Sequence, residues 1–468
     1  MTENFPAFSA QGRPALTFAE AEDALLSRWP ETRLEPSLDR IAAFTELLGD
    51  PQRSYRVIHL TGTNGKTSTS RMIDSLLRAQ DLRTGRFTSP HVEKMSERIS
   101  IDGEPVDDET FVRVFNEVAP YTLLVDADQP HPLSFFETVV GMAFAAFADA
   151  PVDVAVIEVG MGGSWDATNV ADGDVAVVLP IGLDHAQYLG DTVGAIAGEK
   201  AGIIKPGARL VMAQQPEEAA AVLLARAAEV GATVVREGVE FGVVGRTPAV
   251  GGQSISLQGL NARYDDLFLP LYGAHQAQNA AVALAAVEAF GGGDPLDDDL
   301  VREAFARVDS PGRLEVVRRS PAVVLDAAHN PAGAAATAAS LTESFAFSPL
   351  IGVMGVMGDK DVEGVLAAFE PEMTHLIATR NSTPRSLPAE QLGVLAREIF
   401  GEDRVTVVDS LADALDLAVT LAEEGQSFGE SIGGGGVLVT GSVITVGEAR
   451  EMLKGRDPLR TDLKGNDR

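Results

Sequence analysis

The chain of 468 residues is 45% hydrophobic and 22% charged, which is typical of globular proteins, and its length is enough for two or three domains. Its formal net charge of −31 argues against nucleic acids and anionic membranes as partners, and the absence of cysteine excludes disulfides, thiol nucleophiles and zinc–thiolate sites. The sequence has neither an apolar run of membrane-spanning length nor a secretory signal pattern, so we expect a cytoplasmic protein, and we expect a monomer.

The first predicted element with a chemical signature is a strand, a glycine turn and a helix in HLTGTNGKTSTSRMIDSLL, residues 59–77. A helix N-terminus has unpaired backbone N–H groups and a partial positive charge, and Lys66 adds a full charge there. The turn shares the end of the Walker A pattern but has Leu60 in place of that pattern's first glycine. The stretch predicts a phosphate-binding loop, with a glycine-rich surface turn as the alternative.

Farther along the chain, short β-branched runs bounded by glycine or polar turns alternate with alanine-rich helical stretches. This pattern predicts buried parallel strands in doubly wound α/β sheets. The predicted strands are 153–160, 175–182, 322–328, 350–356, 375–379 and 436–442. Residues 241–273 predict a small antiparallel element, and residues 431–436 predict a flexible glycine loop. The turn cluster DSPGR (309–313) places the boundary between two domains, residues 1–309 and 310–468.

A carboxylate at the end of one predicted strand indicates a metal site. Glu158 ends the strand that runs into GMGGSWDATN, and such a position beside a phosphate loop is where nucleotide-bound magnesium takes a ligand. A helix-capping acid is the alternative for Glu158. Further polar motifs follow predicted strands and turns: TSPH (88–91), ERI (97–99), DATN (166–169), DHAQYLG (184–190), EKAGIIK (199–205), PGR (311–313) and DAAHNP (326–331).

Together with GTNGKT (62–67) and EVGMGG (158–163), these motifs closely resemble those of the folylpolyglutamate synthase and dihydrofolate synthase family, in the Mur ligase superfamily. The resemblance extends from about residue 35 to about residue 445. It implies an α/β fold with two doubly wound domains: an N-terminal P-loop ATPase domain that carries the small antiparallel β element, and a C-terminal Rossmann-like domain.

The resemblance also implies an ATP-dependent ligase that forms an amide through an acyl phosphate. The γ-phosphoryl group of ATP is transferred to a carboxylate, and the amine of L-glutamate then attacks the mixed anhydride. The implied substrates are ATP, L-glutamate and dihydropteroate, reduced folates, or both, with Mg²⁺ as cofactor. One alternative is a Mur-type ligase acting on a peptidoglycan precursor, which needs an extra N-terminal domain of about 100 residues. Another is a non-catalytic nucleotide-binding module, which should lack the metal and acyl-phosphate groups.

The family's functional positions map onto residues of this chain. Catalytic roles are implied for Lys66, Lys200 and His329, and Lys200 matches a lysine that is carbamylated in the family. The implied ATP-binding residues are Thr63, Asn64, Gly65, Lys66, Thr67, Ser68, Asn279, Arg313 and Asp326, the last three in the second domain. The implied metal ligands are Ser89, Glu158, His185 and Lys200 as its carbamate. The implied substrate contacts are Asp39, Arg40, Phe136, Glu137, His329 and Ser442.

Two segments resemble the family's acceptor site. LEPSLDRI (34–41) resembles the pteroate loop, and LSFFE (133–137) resembles a folate-binding wall, although Phe135 and Phe136 are equally compatible with an ordinary core. Two positions depart from the family pattern. Thr67 stands where many members have glycine, and Ser164 replaces the arginine of GGR-x-DATN, which puts any substrate contact of that arginine in question.

Overall fold

The computed structural model describes residues 16–30, 35–427 and 434–454. Leu34 of the predicted pteroate loop and residues 431–433 of the predicted glycine loop lie outside the described residues. The described helices are α1 Phe18–Leu26, α2 Asp39–Leu47, α3 Lys66–Ala79, α4 Asp108–Asp128, α5 Phe135–Asp149, α6 Ala186–Leu189, α7 Val193–Lys200, α8 Glu217–Val230, α9 Ala274–Phe290, α10 Asp298–Ala306, α11 Pro331–Ser344, α12 Val362–Phe369, α13 Ala389–Phe400, α14 Leu411–Ser427 and α15 Val443–Lys454. None of these described helices is long and apolar enough to cross a membrane.

The described strands follow the same order along the chain. They are β1 Arg56–Thr61, β2 Thr84–Phe87, β3 Ile99–Ile101, β4 Glu104–Pro105, β5 Val154–Glu158, β6 Val175–Val178, β7 Arg209–Met212, β8 Thr233–Arg236, β9 Gly242–Ala249, β10 Gly252–Gln258, β11 Arg263–Leu269, β12 Glu315–Arg319, β13 Ala322–Leu325, β14 Leu350–Met354, β15 His375–Ala378, β16 Val405–Val407 and β17 Gly436–Thr440. Each of the six strands predicted from the sequence contains one of these strands.

The described residues divide into two compact units. The first extends to Gly245 and adds Ser256–Leu267 and Gln278–Val308, and the second comprises Arg246–Ile255, Phe268–Ala277 and the described residues from Asp309 onward. The change of unit after Val308 lies beside the boundary predicted after residue 309. The two short segments, 246–255 and 268–277, cluster with the second unit, although the sequence boundary assigned them to the first domain.

An eight-stranded sheet forms the centre of the first unit, in the order β4-β3-β2-β5-β1-β6-β7-β8. The strands from β2 to β8 in this order run parallel, and β3 and β4 are antiparallel additions at one edge. In the register of the central strands, Leu60 of β1 lies opposite Glu158 of β5, and Thr61 lies opposite Val178 of β6. The carboxyl ends of β5, β1 and β6 therefore meet at one edge, where ligands bind in sheets of this kind.

A six-stranded sheet forms the centre of the second unit, in the order β12-β13-β17-β14-β15-β16. All neighbours run parallel except β12, which is antiparallel to β13. Successive residues of a strand point to opposite faces. Val437 and Val439 accordingly pack with residues of α14 and α15, whereas Leu438 packs with residues of α11, α12 and α13. Helices cover both faces, so this sheet is doubly wound as predicted.

The predicted antiparallel element is a separate three-stranded sheet in which β10 lies between β9 and β11. Residues 250–251 and 259–262 join these strands, and connections of this length are too short for a parallel crossover. The prediction of a small antiparallel element within residues 241–273 is therefore confirmed.

Candidate functional site

The predicted phosphate-binding loop, residues 62–65, connects β1 to α3. Gly65 caps α3 in the left-handed conformation, with φ of +86°, and its backbone oxygen accepts a hydrogen bond from Thr69 N at 3.0 Å. A Cβ atom at Gly65 would lie 2.7 Å from Oδ1 of Asn279, so only glycine fits both the backbone conformation and the space. The predicted strand, turn and helix are all present.

Two lysine side chains meet at one backbone oxygen of this loop. Nζ of Lys66 donates to the oxygen of Gly62 at 3.1 Å and to that of Thr63 at 3.3 Å. Nζ of Lys200 donates to the same Gly62 oxygen at 3.1 Å. Two cationic side chains beside a helix N-terminus favour the binding of an anion such as a phosphate.

Lys200 ends α7 and is only 4% exposed. Burial, followed by the charge of Lys66, lowers the pKa of Lys200 from 10.5 to about 7. Three carboxylates oppose this shift: Asp184, Asp166 and Glu199. The lowered pKa makes the neutral amine of Lys200, which is the nucleophilic form, more accessible near neutral pH than that of an exposed lysine.

Glu158 ends β5 and is 1% exposed. The hydroxyl of Thr67 lies 3.1 Å and 3.2 Å from its two carboxylate oxygens. A buried carboxylate and a hydroxyl at the first turn of the phosphate-loop helix are hard oxygen donors, which magnesium prefers. The next short helix along the chain is capped by Asp166 instead, so Glu158 is not its capping acid.

The described residues contain no cluster of three or more His, Cys, Asp or Glu side chains that could hold a metal ion. The ligand set implied by the sequence does not require such a cluster, because Glu158 and His185 are its only members of those residue types. Ser89 and Lys200 complete that set.

The loop after β6 contacts the phosphate loop. The backbone N of Thr63 donates to the oxygen of Pro180 at 3.1 Å, and the Thr63 hydroxyl oxygen accepts from Gly182 N at 3.0 Å. His185 follows in the left-handed conformation, with φ of 52°, and its backbone N donates to Oδ1 of Asp184 at 2.8 Å. The segment that carries His185 and the phosphate loop thus lie at the same edge of the sheet.

A second site in the first unit, which we call the tryptophan pocket, is lined by Trp29, Pro30, Glu35, Pro36, Ser37, Arg40, Ser89, His131, Pro132, Ser134, Phe136, Glu137, Gly160, Met161, Trp165, Asp166 and Ala167. The pocket holds about 790 Å³ of space, part of it open to solvent. Both tryptophans of the chain line it. The ring of Trp29 lies 5.1 Å from that of His131. These aromatic walls suit a flat heteroaromatic ligand.

Three of the residues predicted to contact substrate line the tryptophan pocket: Arg40, Phe136 and Glu137. Nε of Arg40 donates to Oε1 of Glu137 at 3.0 Å, and Oε2 of Glu137 accepts from Ser134 N at 2.7 Å. Arg40 is thereby fixed at the wall by an acid that also caps α5. Asp39 is exposed in the first turn of α2 and is not among the lining residues.

The two aromatic residues of LSFFE have different environments. Phe135 is 6% exposed and packs in the core of the first unit. Phe136 lines the tryptophan pocket, and a Cβ atom on Gly160 would lie 2.5 Å from its ring. The core interpretation therefore fits Phe135, and the wall interpretation fits Phe136.

Ser164, which replaces the family's arginine, is bonded to the end of α7. Its backbone N and its hydroxyl donate to the oxygen of Glu199 at 2.9 Å and 3.0 Å. Ser164 is not among the lining residues of the tryptophan pocket, whereas its neighbour Trp165 is. The serine thus links the loop that carries Trp165 to the helix that carries Lys200.

In the second unit, Asp326 follows β13 and fixes the turn at Arg313. Oδ2 of Asp326 accepts from Leu314 N at 3.0 Å, and Oδ1 accepts from Ala328 N at 3.0 Å and from the Thr337 hydroxyl at 2.7 Å. A carboxylate has about four acceptor positions, so these bonds leave capacity for one more donor. Because Leu314 directly follows Arg313, its bond to Asp326 fixes the backbone beside Arg313.

His329 and Ser442 follow the carboxyl ends of neighbouring parallel strands, β13 and β17. Nδ1 of His329 lies 2.9 Å from the oxygen of Ala327. A carbonyl only accepts, so Nδ1 carries the proton and Nε2 is the basic nitrogen. Ser442 is 3% exposed, and its hydroxyl oxygen accepts from Ile444 N at 3.2 Å.

Asn279 belongs to the first unit, and its assignment to the second domain was wrong. The residue is 6% exposed on α9, and its side chain lies against Gly65 of the phosphate loop. The domain boundary predicted after residue 309 agrees with this placement, but the contact with Gly65 could not be predicted from the sequence, because the helix that carries Asn279 is far from the loop along the chain.

Comparison with known proteins identifies the family. Residues 60–287 match the Mur ligase middle domain, and residues 312–443 match the Mur ligase glutamate ligase domain. The chain is 50% identical over 459 residues to a dihydrofolate synthase/folylpolyglutamate synthase from Mycobacterium tuberculosis, covering 94% of each protein. It is 31% identical to the enzyme of that name from Escherichia coli, covering 90% of this chain and 92% of the relative.

Solved structures agree with this result. The structure of M. tuberculosis folylpolyglutamate synthase complexed with ADP has a TM-score of 0.91 at 50% identity, covering 94% of this chain and 99% of that one. E. coli FolC in complex with DHPP and ADP has a TM-score of 0.81 at 30% identity, covering 95% and 100%. This chain therefore belongs to the dihydrofolate synthase/folylpolyglutamate synthase family of Mur ligases.

Sequence analysis missed several residues of the tryptophan pocket, namely Trp29, His131, Met161 and Trp165. Their contribution depends on segments that are distant in sequence. One signal was available, since Trp29 and Trp165 are the only tryptophans in the chain and Trp165 lies within the GGSWDATN motif.

We predict that Gly65→Ala weakens ATP binding by at least about tenfold while the protein still folds. The added methyl group requires a strained backbone and must displace Asn279, which distorts the loop. Gly207→Ala is the matched control: it imposes similar strain at φ +74°, with no atom within 4 Å, on the loop that precedes β7. Calorimetric titration with ATP measures the difference. Equal weakening of ATP binding in Gly65→Ala and Gly207→Ala would contradict a role of the loop at Gly65 in nucleotide binding.

Proposed function

We propose that this protein is an ATP-dependent ligase that adds L-glutamate both to dihydropteroate and to reduced folates, through an acyl phosphate. The observation that carries the proposal is the meeting of Lys66 and Lys200 at the Gly62 oxygen of a strand–turn–helix loop, beside the hydrogen-bonded pair of Thr67 and the buried Glu158. The family membership and the names of the relatives support it. We further propose that it acts as a monomer in the cytoplasm.

The phosphate loop holds the ATP phosphates in this account. Residues 63–68 supply backbone N–H groups and hydroxyls, and Lys66 supplies a positive charge. A carboxylate is a poor electrophile, and phosphorylation makes it a good one, so the protein mainly positions the reactants and offsets the phosphate charge. Asn279 contributes from α9, where its side chain lies next to Gly65.

Magnesium fits the donor set at the end of β5. Glu158 would hold it, with Ser89 and His185 as further ligands and Thr67 nearby, and the oxygen donors among them are of the type that Mg²⁺ prefers. When bound, the ion offsets negative charge on the phosphate oxygens. Ser89 lies after β2, and Nη1 of Arg98 donates to its hydroxyl oxygen at 3.3 Å, which fixes the orientation of that side chain.

Lys200 is the proposed site of carbamylation. A neutral amine adds to carbon dioxide, forming a C–N bond and releasing a proton, and the low pKa of Lys200 supplies that neutral amine. The product is anionic, so it removes the repulsion between two neighbouring ammonium groups and offers oxygens to a cation. Burial protects the adduct from solvent, because Lys200 is 4% exposed.

The tryptophan pocket is the proposed acceptor site. Dihydropteroate and reduced folates share a flat bicyclic heteroaromatic group, which suits the walls formed by Trp29, Phe136 and Trp165. The two substrates differ in the carboxylate that is presented for phosphorylation, so one pocket can serve both. Asp39, in the segment that resembles the pteroate loop, is a proposed contact that the pocket lining does not include.

Residues of the second unit complete the proposed assignment. Arg313 and Asp326 contact the nucleotide, and the bond from Leu314 N to Asp326 fixes the turn at Arg313. His329 and Ser442 act on the incoming glutamate. Nδ1 of His329 donates to a backbone oxygen, which leaves the lone pair on Nε2, so His329 can accept a proton from the ammonium group of glutamate and thereby supply the amine that attacks the acyl phosphate.

The proposed function predicts two separable activities in one protein. Purified protein should convert dihydropteroate, ATP and glutamate to dihydrofolate, and should lengthen a tetrahydrofolate substrate by glutamate, with one ADP released per amide. Chromatography of the products at matched magnesium concentration and pH measures both activities. Elongation of folates with no product from dihydropteroate would reduce the function to folylpolyglutamate synthesis. ADP release without amide formation in either assay would contradict the ligase itself.

Lys200→Ala should lose most of the ligase activity and regain part of it when a short carboxylate such as acetate is added, because the carboxylate can occupy the place of the carbamate. Lys205→Ala is the matched control, since Nζ of Lys205 donates to the Asn169 oxygen and its pKa is also lowered by burial. No rescue by acetate is expected in that variant. Unmodified lysine density in an active, magnesium-loaded crystal would contradict carbamylation.

A further inference from the structure

Two side chains on one face of β1 are bonded to the loop that forms a wall of the tryptophan pocket. His59 lies opposite Ile157 of β5 and Ala176 of β6, and both His59 and Thr61 are completely buried. The Thr61 hydroxyl donates to the oxygen of Gly162 at 2.9 Å. Because side chains two residues apart share a face of a strand, His59 points toward the same loop.

The bond from His59 begins a chain that ends at the pocket wall. Nε2 of His59 lies 2.9 Å from the Thr168 hydroxyl, which lies 2.5 Å from Oδ1 of Asp166. Oδ1 also accepts from Thr168 N at 3.0 Å, and Oδ2 accepts from Met161 N at 2.9 Å. Asp166 therefore joins the two ends of the segment 161–168, and this segment contains four lining residues: Met161, Trp165, Asp166 and Ala167.

The direction of each hydrogen bond follows from the chemistry of the groups. Burial raises the pKa of Asp166, and the bonds from the Thr168 hydroxyl and from the Met161 and Thr168 N–H groups oppose that rise by favouring the ionised form. An ionised carboxylate only accepts, so the single hydroxyl proton of Thr168 is given to Asp166. His59 must then donate to Thr168, which requires the proton on Nε2 and leaves Nδ1 as an acceptor. The Thr168 hydroxyl is thereby fixed in one orientation, with both its donor and an acceptor position in use.

A role in core packing alone does not account for an imidazole at this position. Nδ1 of His59 is buried and has no hydrogen-bond partner among the described residues, and an unsatisfied buried polar atom costs folding free energy. An apolar side chain of similar size would avoid that cost. Burial also lowers the pKa of His59 to about 3, so the ring is neutral at any pH near 7 and supplies one N–H donor.

We propose that His59 is a positioning residue for acceptor binding: acting through Thr168 and Asp166, it holds the wall segment that carries Met161 and Trp165 in the tryptophan pocket. His59 does not itself line the pocket. The proposal rests on the proposed function insofar as that function places dihydropteroate in this pocket. In this proposal His59 affects the affinity for the acceptor and not the chemistry at the phosphate loop, although His59 and that loop both lie toward the carboxyl end of β1.

The test compares variants with and without the donor in the full chain. His59→Leu removes the N–H donor, His59→Gln retains an amide donor, Thr168→Val removes the hydroxyl, and Thr168→Ser retains it.

His59→Leu and Thr168→Val should raise KM for dihydropteroate at least about fivefold, with kcat and KM for ATP changed less than about twofold. His59→Gln and Thr168→Ser should stay near the wild type. The double variant His59→Leu/Thr168→Val should be no worse than Thr168→Val, because both changes break one chain.

Tryptophan fluorescence provides a readout that does not depend on activity. Trp29 and Trp165 are the only tryptophans, so quenching by dihydropteroate reports on this pocket alone. The dissociation constant from quenching should rise in His59→Leu and Thr168→Val, and the pH profile of kcat should keep its shape because His59 does not titrate near pH 7.

The outcomes separate this proposal from the proposed function. Failure of dihydropteroate to quench the wild-type fluorescence would contradict the assignment of the pocket. Normal quenching with equal dissociation constants in all variants would overturn the role of His59 alone. Equal increases of KM for ATP and for dihydropteroate in His59→Leu would also overturn it, since they indicate a disturbed phosphate loop. If His59→Leu does not fold, the comparison of Thr168→Val with Thr168→Ser decides the question by the same criteria.

Discussion

The left-handed turn at Gly65, between the central strand of the first sheet and α3, is the constraint on which the rest of the site depends. The turn brings the Gly62 oxygen within reach of both Lys66 and Lys200, and it leaves no space for a side chain at Gly65. The parallel neighbours of β1 then place Glu158 beside the first turn of α3. A doubly wound sheet concentrates ligand-binding groups at the carboxyl ends of its strands, and here three strands contribute to one position.

Electrostatics gives this position its chemical character. The protein as a whole is strongly anionic, yet two lysines lie together at the phosphate loop. The burial of Lys200, and then the charge of Lys66, lower the pKa of Lys200, so Lys200 loses its proton more easily than an exposed lysine. A phosphate group bound here relieves the repulsion by adding negative charge, and a carbamate on Lys200 relieves it by removing positive charge. The proximity of Lys66 and Lys200 thus connects nucleotide binding with the proposed carbamylation of Lys200.

The sequence predicted the parts of the site that lie within single motifs. The positions of Glu158 and Asp326 near the carboxyl ends of strands were predictable, although the predicted strands ran to residues 160 and 328, because β-branched runs bounded by polar residues mark the carboxyl edge of a parallel sheet. The tryptophan pocket was only partly predictable, because Trp29 and Trp165 meet through the fold and no local pattern relates them. The contact of Asn279 with Gly65 was not predictable for the same reason, since it depends on the packing of α9. Phe135 and Phe136 are adjacent in sequence, but their environments differ because their side chains point in different directions from α5.

The departures from the family pattern have local consequences that the structure makes concrete. Thr67 offers a hydroxyl to Glu158, a contact that glycine could not make. Ser164 bonds to α7 and leaves the pocket wall to Trp165. In the proposed acceptor site, recognition would therefore depend on the aromatic walls and on the bonded segment 161–168.

The formation of an acyl phosphate is the central claim, and isotope transfer tests it most directly. Dihydropteroate labelled with ¹⁸O in both carboxylate oxygens is converted with ATP and glutamate, and the inorganic phosphate is analysed by mass spectrometry. Attack of the carboxylate on the γ-phosphorus, followed by expulsion of phosphate by the amine, moves one ¹⁸O atom from each acceptor into phosphate and leaves the other in the amide. One ¹⁸O per phosphate is the predicted result. Phosphate without ¹⁸O, formed together with the amide, would contradict the account.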